Sequence, residues 1–278
     1  MQKPTFFGTR TRLRNTRMLR RSRKVWASPK SWRPRLVFWA GALAIGLVSV
    51  AFAFLADEAQ HAFASLRSTS GFGLAAMLML PPAGFGLSAY LALTFFPNAQ
   101  GSGIPQAIAA RHLSEDADRG LLLSLRIAAG KILLTLLGLL SGASIGREGP
   151  TVQVGAAIML AAGRLGGMAQ ARGLILAGSA AGIAAAFNTP LAGIVFAIEE
   201  MGRAYEARTN GLVLSAVVLA GLASVGLTGN YTYFGESDAV ASTPMQWILV
   251  FACGIVGGAL GAVFSAAALR LLRRIKRW

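Results

Sequence analysis

The sequence predicts an all-α, polytopic membrane protein with broken and tilted helices, and three observations predict it. The 278 residues are 54% hydrophobic and only 14% charged, with mean hydropathy +0.56, whereas a soluble domain carries roughly 25% charged residues. Residues 36–56 (LVFWAGALAIGLVSVAFAFLA) hold no charge and are long enough to cross a hydrocarbon core of ~30 Å as one helix. Between residues 151 and 198 the apolar stretches shorten to 9–15 residues, each bounded by glycine, proline or charge. Segments that short do not cross alone; they point to discontinuous helices whose ends meet near the bilayer midplane.

The elements follow in order. Residues 1–35 hold 12 of the 27 Lys and Arg and no acid, which accounts for most of the +16 net charge. This basic arm reads as an orienting, lipid-contacting cytoplasmic tail. Nucleic-acid binding is the alternative for such a run, and no nucleic-acid partner is expected; an Arg-rich transit peptide is a third reading. The remainder, 36–278, is one transmembrane domain. After the first span comes a polar connector (57–70), then 71–96, where Pro81 and Pro82 predict a kinked or broken helix. RHLSEDADRG (111–120) reads as a solvated loop. Residues 121–145 form a further span containing Arg126 and Lys131, and a cation inside a span needs a partner or a route to water. Full-length spans return at 211–229 and 247–269. Cys253 is the single cysteine, so no intrachain disulfide forms.

Three stretches share one design: GSGIP (101–105), GREGP (146–150) and FNTP (187–190). Each leads through flexible or polar residues into a proline and an apolar run, and proline is favoured in the first turn of a helix, where its missing N–H costs nothing. Each therefore reads as a helix N-terminus. Such an end offers unpaired N–H groups and about half a positive charge, an anion site that needs no lysine or arginine. Three converging ends would hold a dehydrated monovalent anion firmly enough to admit it and weakly enough to release it. Glu148 stands just before Pro150, at a positive helix end: ionised it competes with an anion, and protonated it loses that attraction. A charge at the bilayer centre costs ~3 kcal/mol on insertion scales, so Arg147 and Glu148 need a reason to be there. Arg147 is expected to stabilise the local fold rather than to touch the ion.

GSGIP, GREGPTVQVG (146–155) and AGSAAGIAAAFNTPLAGIVFAIEEM (177–201) resemble, in order and separation, the signature segments of the CLC family of chloride channels and proton/chloride antiporters. The resemblance covers roughly residues 36–270 and is to the N-terminal half of a prokaryotic-type member. It implies the first inverted repeat of the CLC fold and the start of the second, with the remainder of the second absent. It implies that Ser102 touches the central anion, with Gly103, Ile104, Gly149, Phe187 and Asn188 in the neighbouring site-forming segments. Glu148 is similar to the external gating glutamate and Glu200 to the internal proton-transfer glutamate. Serine at 102 suggests chloride over nitrate. Many relatives follow GSGIP with glutamate, where this chain has Gln106.

Glu200 lies ten residues after Pro190, about 15 Å along an ideal helix, and Glu199 would point about 100° away from it. The two acids therefore do not share one path. His61 and His112 fall in polar connectors and read as solvated. The expectation is proton-coupled chloride transport in a bacterial inner membrane, N-terminus inside, with no cofactor and with chloride and protons as the transported species. Partners are the lipid bilayer, a second copy in a homodimer if the protein is complete, and possibly a second-half chain. The alternative is a fragment or one half of a split transporter, inactive alone, because no GxFxP-like stretch or site tyrosine follows; Tyr231 and Tyr233 sit in a connector. A remote alternative is a membrane-embedded protease, since Glu199, Glu200 and Arg203 approximate an EExxxR motif. That spacing is one residue short, and histidines are missing from the apolar segments.

Overall fold

The computed structural model describes residues 29–66, 71–202, 210–232, 235, 238 and 240–275. Residues 1–28 of the basic arm, Arg203 and Tyr233 lie outside the described residues. The chain divides into two compact units, Met1–Tyr233 and Phe234–Trp278. In the first, the helices are α1 (Pro29–Ser65), α2 (Gly71–Thr94), α3 (Ile104–His112), α4 (Asp116–Leu122), α5 (Leu125–Leu140), α6 (Glu148–Gly166), α7 (Ala171–Ala186), α8 (Pro190–Phe196) and α9 (Asn210–Thr228). A π-helical turn, Ala197–Gly202, continues α8. The second unit is built on α10 (Pro244–Ile275). Among the described residues there is no strand.

Among the described residues, five segments are long and apolar enough to cross a membrane: Trp32–Ser65, Ala75–Thr94, Asp116–Leu140, Gly211–Thr228 and Pro244–Ile275. Four of them correspond to the spans expected from sequence and the fifth, Ala75–Thr94, falls in the stretch expected to be a kinked or broken helix; the chain is an integral membrane protein. The first helix already begins at Pro29, inside the stretch assigned to the basic arm. Its start carries a belt of amphipathic side chains: the Trp32 and Trp39 rings meet edge to face at 6.3 Å, and the Arg35 guanidinium lies 5.7 Å from the Trp32 ring. Tryptophan and arginine suit this position because they place an apolar body in lipid and a polar tip at the headgroups.

Two expectations need adjusting. Of the kinked or broken helix expected at Pro81 and Pro82, the broken form is not found: α2 runs from Gly71 to Thr94 with both prolines inside it, and in a membrane helix the freed carbonyls can be satisfied by neighbours or local adjustment. Nor is 111–120 simply a solvated loop. His112 ends α3, Asp116 begins α4, and Arg119 is buried, donating to Asp116 Oδ1 at 2.5 Å and to the Leu113 carbonyl at 2.6 Å. The acids Glu115, Asp116 and Asp118 are exposed, so the acidic composition described only one side of the segment. Ser124 then caps α5, its hydroxyl accepting from the Ile127 N–H at 3.3 Å, as expected of serine at that position.

The core of the first unit is the α6–α7 pair, enclosed by α1, α3, α8 and α9. Lipid is as apolar as the side chains, so close backbone approach rather than hydrophobic burial drives helix pairing here. Small residues permit it. A Cβ on Gly182 would lie 2.5 Å from the Thr151 carbonyl, one on Gly193 would lie 2.5 Å from the Ala180 carbonyl, and one on Gly178 would strike the Gly155 carbonyl. Thus GSAAGIAAAF, legible in sequence only as packing composition, forms the face on which α6 and α8 rest.

Candidate anion site

The GSGIP and GREGP stretches meet backbone to backbone. Gly103, the residue before α3, adopts φ +101, a conformation that favours glycine, and a Cβ there would lie 2.9 Å from the Gly149 carbonyl. A Cβ on Gly149 would in turn lie 2.7 Å from the Ser102 carbonyl. Both glycines are therefore required for the approach, and each supplies one side of the contact. Pro105 is the second residue of α3 and Pro150 the third of α6, so the N-terminal turns of two helices are held against each other.

Where they meet, a cavity of about 740 Å³ opens. Ser102, Ile104, Glu148, Gly149 and Pro150 line it from the two helix starts, Phe85 and Ser88 from α2, and Lys131 and Thr135 from α5. Ser102 is exposed, Ile104, Glu148 and Gly149 are half-buried, and Gly103 is buried behind them. Glu148 is the first residue of α6, and its carboxylate folds back over Gly146 so that a Cβ there would strike Oε2. The Thr151 hydroxyl donates to the Glu148 carbonyl at 2.6 Å, fixing the turn beneath it.

The loop that presents Ser102 is fastened from three helices. Lys131, 1% exposed, donates from Nζ to the carbonyls of Gly101 at 2.9 Å and Gln100 at 3.3 Å. Gln106 of α3 donates to the same Gln100 carbonyl at 2.6 Å. Gln153 of α6 donates to the carbonyls of Asn98 at 3.2 Å and Leu122 at 2.9 Å. Sequence reasoning marked Lys131 as a cation in need of a partner; the partners are main-chain carbonyls, which no side-chain pattern reveals. It passed over Gln153, whose signal was a polar residue inside the apolar run of GREGPTVQVG. Arg147 donates to the Ala53 carbonyl at 2.7 Å and to Asp57 Oδ1 at 2.6 Å, tying the start of α6 to α1.

The third stretch lies elsewhere. Phe187 and Asn188 are not among the residues lining the cavity. Thr189 precedes α8, with Pro190 as its first residue. Asn188 is buried at φ +53, its amide donating to the carbonyls of Gly229 at 3.1 Å and Tyr231 at 3.4 Å while its Oδ1 accepts from Ser224 at 3.2 Å. Its side chain thus joins the start of α8 to the end of α9. Glu199 and Glu200 are both exposed, in the π turn rather than in a continued α-helix. The ~15 Å offset and ~100° separation expected of an α-helix do not carry over to such a turn, whose rise and rotation per residue differ. Arg111, which the sequence placed in a solvated loop, is 6% exposed and donates to the Met201 carbonyl in that turn.

Comparison with known proteins adds the family. The family model described as voltage gated chloride channel matches residues 83–278. The H(+)/Cl(-) exchange transporters ClcA of Salmonella paratyphi B and Salmonella newport are each 33% identical over 265 residues, covering 84% of this chain and 50% of theirs. The chain therefore spans about half the length of the curated relatives it matches. The fold is similar to the crystal structure of a slow cyanobacterial Cl-/H+ antiporter, with TM-score 0.76 and 24% identity over 88% of this chain and 59% of that one. On the family match and the ClcA identity, with two signature stretches packed against one another, this chain belongs to the voltage gated chloride channel family.

Proposed function

We propose that this chain supplies the anion-binding first half of a proton-coupled chloride antiporter, with chloride held at helix N-termini and gated by Glu148. One observation carries the reading: two helix N-termini bound backbone to backbone present Ser102 and Glu148 to a single cavity. The exchange activity named for the ClcA relatives supports the same assignment. Because those relatives are about twice as long, coupled transport is proposed for the assembled transporter to which this chain contributes. The proposed setting is a bacterial inner membrane with the basic arm inside, where its Lys and Arg satisfy the positive-inside rule. A homodimer is the proposed assembly.

In this mechanism the anion occupies the space between Ser102 and the first turn of α6. The Ser102 hydroxyl donates one hydrogen bond, and the unpaired N–H groups at the starts of α3 and α6, with Gly103, Ile104 and Gly149, supply partial positive charge. Lys131 adds a formal charge from the cavity wall, where its ammonium is held by the Gly101 and Gln100 carbonyls. Phe187 and Asn188 are assigned to the approach from the α8 side. Ionised, the Glu148 carboxylate is attracted by the same helix end and displaces the anion; protonated, it yields the place and carries its proton. Glu200 exchanges protons with the opposite aqueous face. Alternation of carboxylate and chloride at one position couples the two fluxes.

The test is simultaneous chloride and proton flux from liposomes holding the assembled transporter. Glu148→Ala is expected to leave chloride flux of wild-type order and to reduce proton flux to background, because the titrating competitor is gone. Proton movement still driven by chloride in that variant would remove Glu148 from the mechanism.

A further inference from the structure

The helix that opens at the anion cavity ends at the acidic turn. From Ile104 to His112, α3 is nine residues long, about 13 Å. Its first residue follows the Ser102–Gly103 corner. Its last turn carries Arg111, buried beneath the surface, with the guanidinium Nη1 donating to the carbonyl of Met201. Met201 belongs to the π turn Ala197–Gly202, which also carries Glu199 and Glu200. Within that turn Ala197 and Met201 are buried, at 3% and 2% exposure, while Ile198, Glu199 and Glu200 are exposed.

A buried guanidinium is costly unless hydrogen-bonded, and a π turn is a rare geometry that is frequent at functional sites. Here each accounts for the other. The carbonyls at a helix end lack partners within the helix, and a basic side chain is well suited to satisfy them. Arg111 meets one such carbonyl from a different helix, 90 positions away in sequence. Its charge also lies at the negative end of the α3 dipole, where a cation is favoured. The bond fixes the carbonyl immediately after Glu200, and so fixes which side of the turn the two carboxylates occupy. Were the turn to tighten by one residue into α geometry, the side chains beyond the change would rotate about the axis.

We propose that Arg111 is a positioning residue for Glu200: it pins the π turn to the helix that starts beside Ser102, so that the proton-transfer acid and the anion loop are referenced to one rigid element. The inference rests on the assignment of Glu200 to proton transfer. Arg111 touches neither chloride nor the transferred proton in this role. It acts through the turn.

Two measurements test it. In lipid nanodiscs holding the chain, Arg111→Met is expected to speed amide hydrogen exchange across 197–202 by about tenfold, as loss of a charged hydrogen bond should. Exchange across 148–155 should stay unchanged, and Arg111→Lys, which keeps a charged donor, should recover part of the protection. In liposomes holding the assembled transporter, Arg111→Met is expected to lower the ratio of protons to chloride moved, with chloride flux retained and Arg111→Lys partly restoring the ratio. Unchanged exchange across 197–202 would overturn the proposal, as would general acceleration along the chain. So would parallel loss of both fluxes, the signature of a merely structural residue. Should wild type show no coupled flux, the transport reading fails and takes the positioning role with it. Coupled wild type with a faster turn and an unaltered ratio would sink the positioning role alone.

Discussion

Lys131 fastens the Ser102 loop and faces the cavity at the same time. Its ammonium is buried, donates to the Gly101 and Gln100 carbonyls, and lines the cavity with Ser102. Among the described residues no carboxylate forms an ion pair with it. Gln106 bonds the same Gln100 carbonyl without contributing a negative charge. The positive field of Lys131 therefore falls on the cavity rather than on a neighbouring carboxylate. Were the anion held about 7 Å from that ammonium, the attraction at an effective dielectric constant of about 20 would be roughly 2 kcal/mol. Lys131→Gln keeps a hydrogen-bond donor but not the charge, and is expected to raise the chloride Kd at least about tenfold. Isothermal titration with chloride measures it. An unchanged Kd in a folded variant would confine Lys131 to fastening the loop.

Among elements, the α6–α7 contact carries most of the architecture. A Cβ on Gly178 would strike the Gly155 carbonyl and approach Met159 Cβ to 2.6 Å, whereas one on Gly86 in α2 would meet nothing within 4 Å. Backbone cannot yield as a flexible side chain can, so Gly178→Ala forces the helices apart and is expected to cost about 1–3 kcal/mol. Gly86→Ala removes a helix-interior glycine without a clash and should stabilise by up to about 1 kcal/mol. Thermal unfolding of the two variants in detergent, followed by helical circular dichroism, separates them; equal shifts would mean that α6 and α7 do not pack as closely as described. The helix starts at 104, 148 and 190 were legible in sequence because glycine and proline act locally, through φ and a missing N–H. The meeting of Ser102 with Gly149 is non-local, and only the CLC resemblance anticipated it. The π turn was illegible for a related reason: its Met201 carbonyl is satisfied by Arg111 from another helix, and nothing between residues 197 and 202 announces that. Likewise the burial of Arg119 depends on Asp116 and the Leu113 carbonyl folding around it, so a composition rich in acids gave the exposed side and missed the inner one.

For the molecule as a whole, the defining condition is lipid, and the chain carries its own probe of it. Leu, Phe, Val and Ile side chains stand exposed along α1, α2, α9 and α10, far more apolar surface than water tolerates in one monomer. In α10, 32 residues give a helix about 48 Å long, more than the ~30 Å of hydrocarbon it has to cross. Arg270, Arg273 and Arg274 stand at its C-terminal end, where long basic side chains reach the headgroups. Cys253, the single cysteine, is the tenth residue of α10, about 14 Å from its start and thus inside the apolar run. If α10 crosses the bilayer, a charged, membrane-impermeant thiol reagent cannot reach Cys253 from either side of a sealed liposome. The expected outcome is no modification by such a reagent in intact or gently permeabilised liposomes, and complete modification once the protein is dissolved in sodium dodecyl sulfate, both read by mass spectrometry. Rapid labelling in intact liposomes would place Cys253 in water and remove α10 from the spans, leaving the cavity between α3 and α6 to be explained on four crossings instead of five.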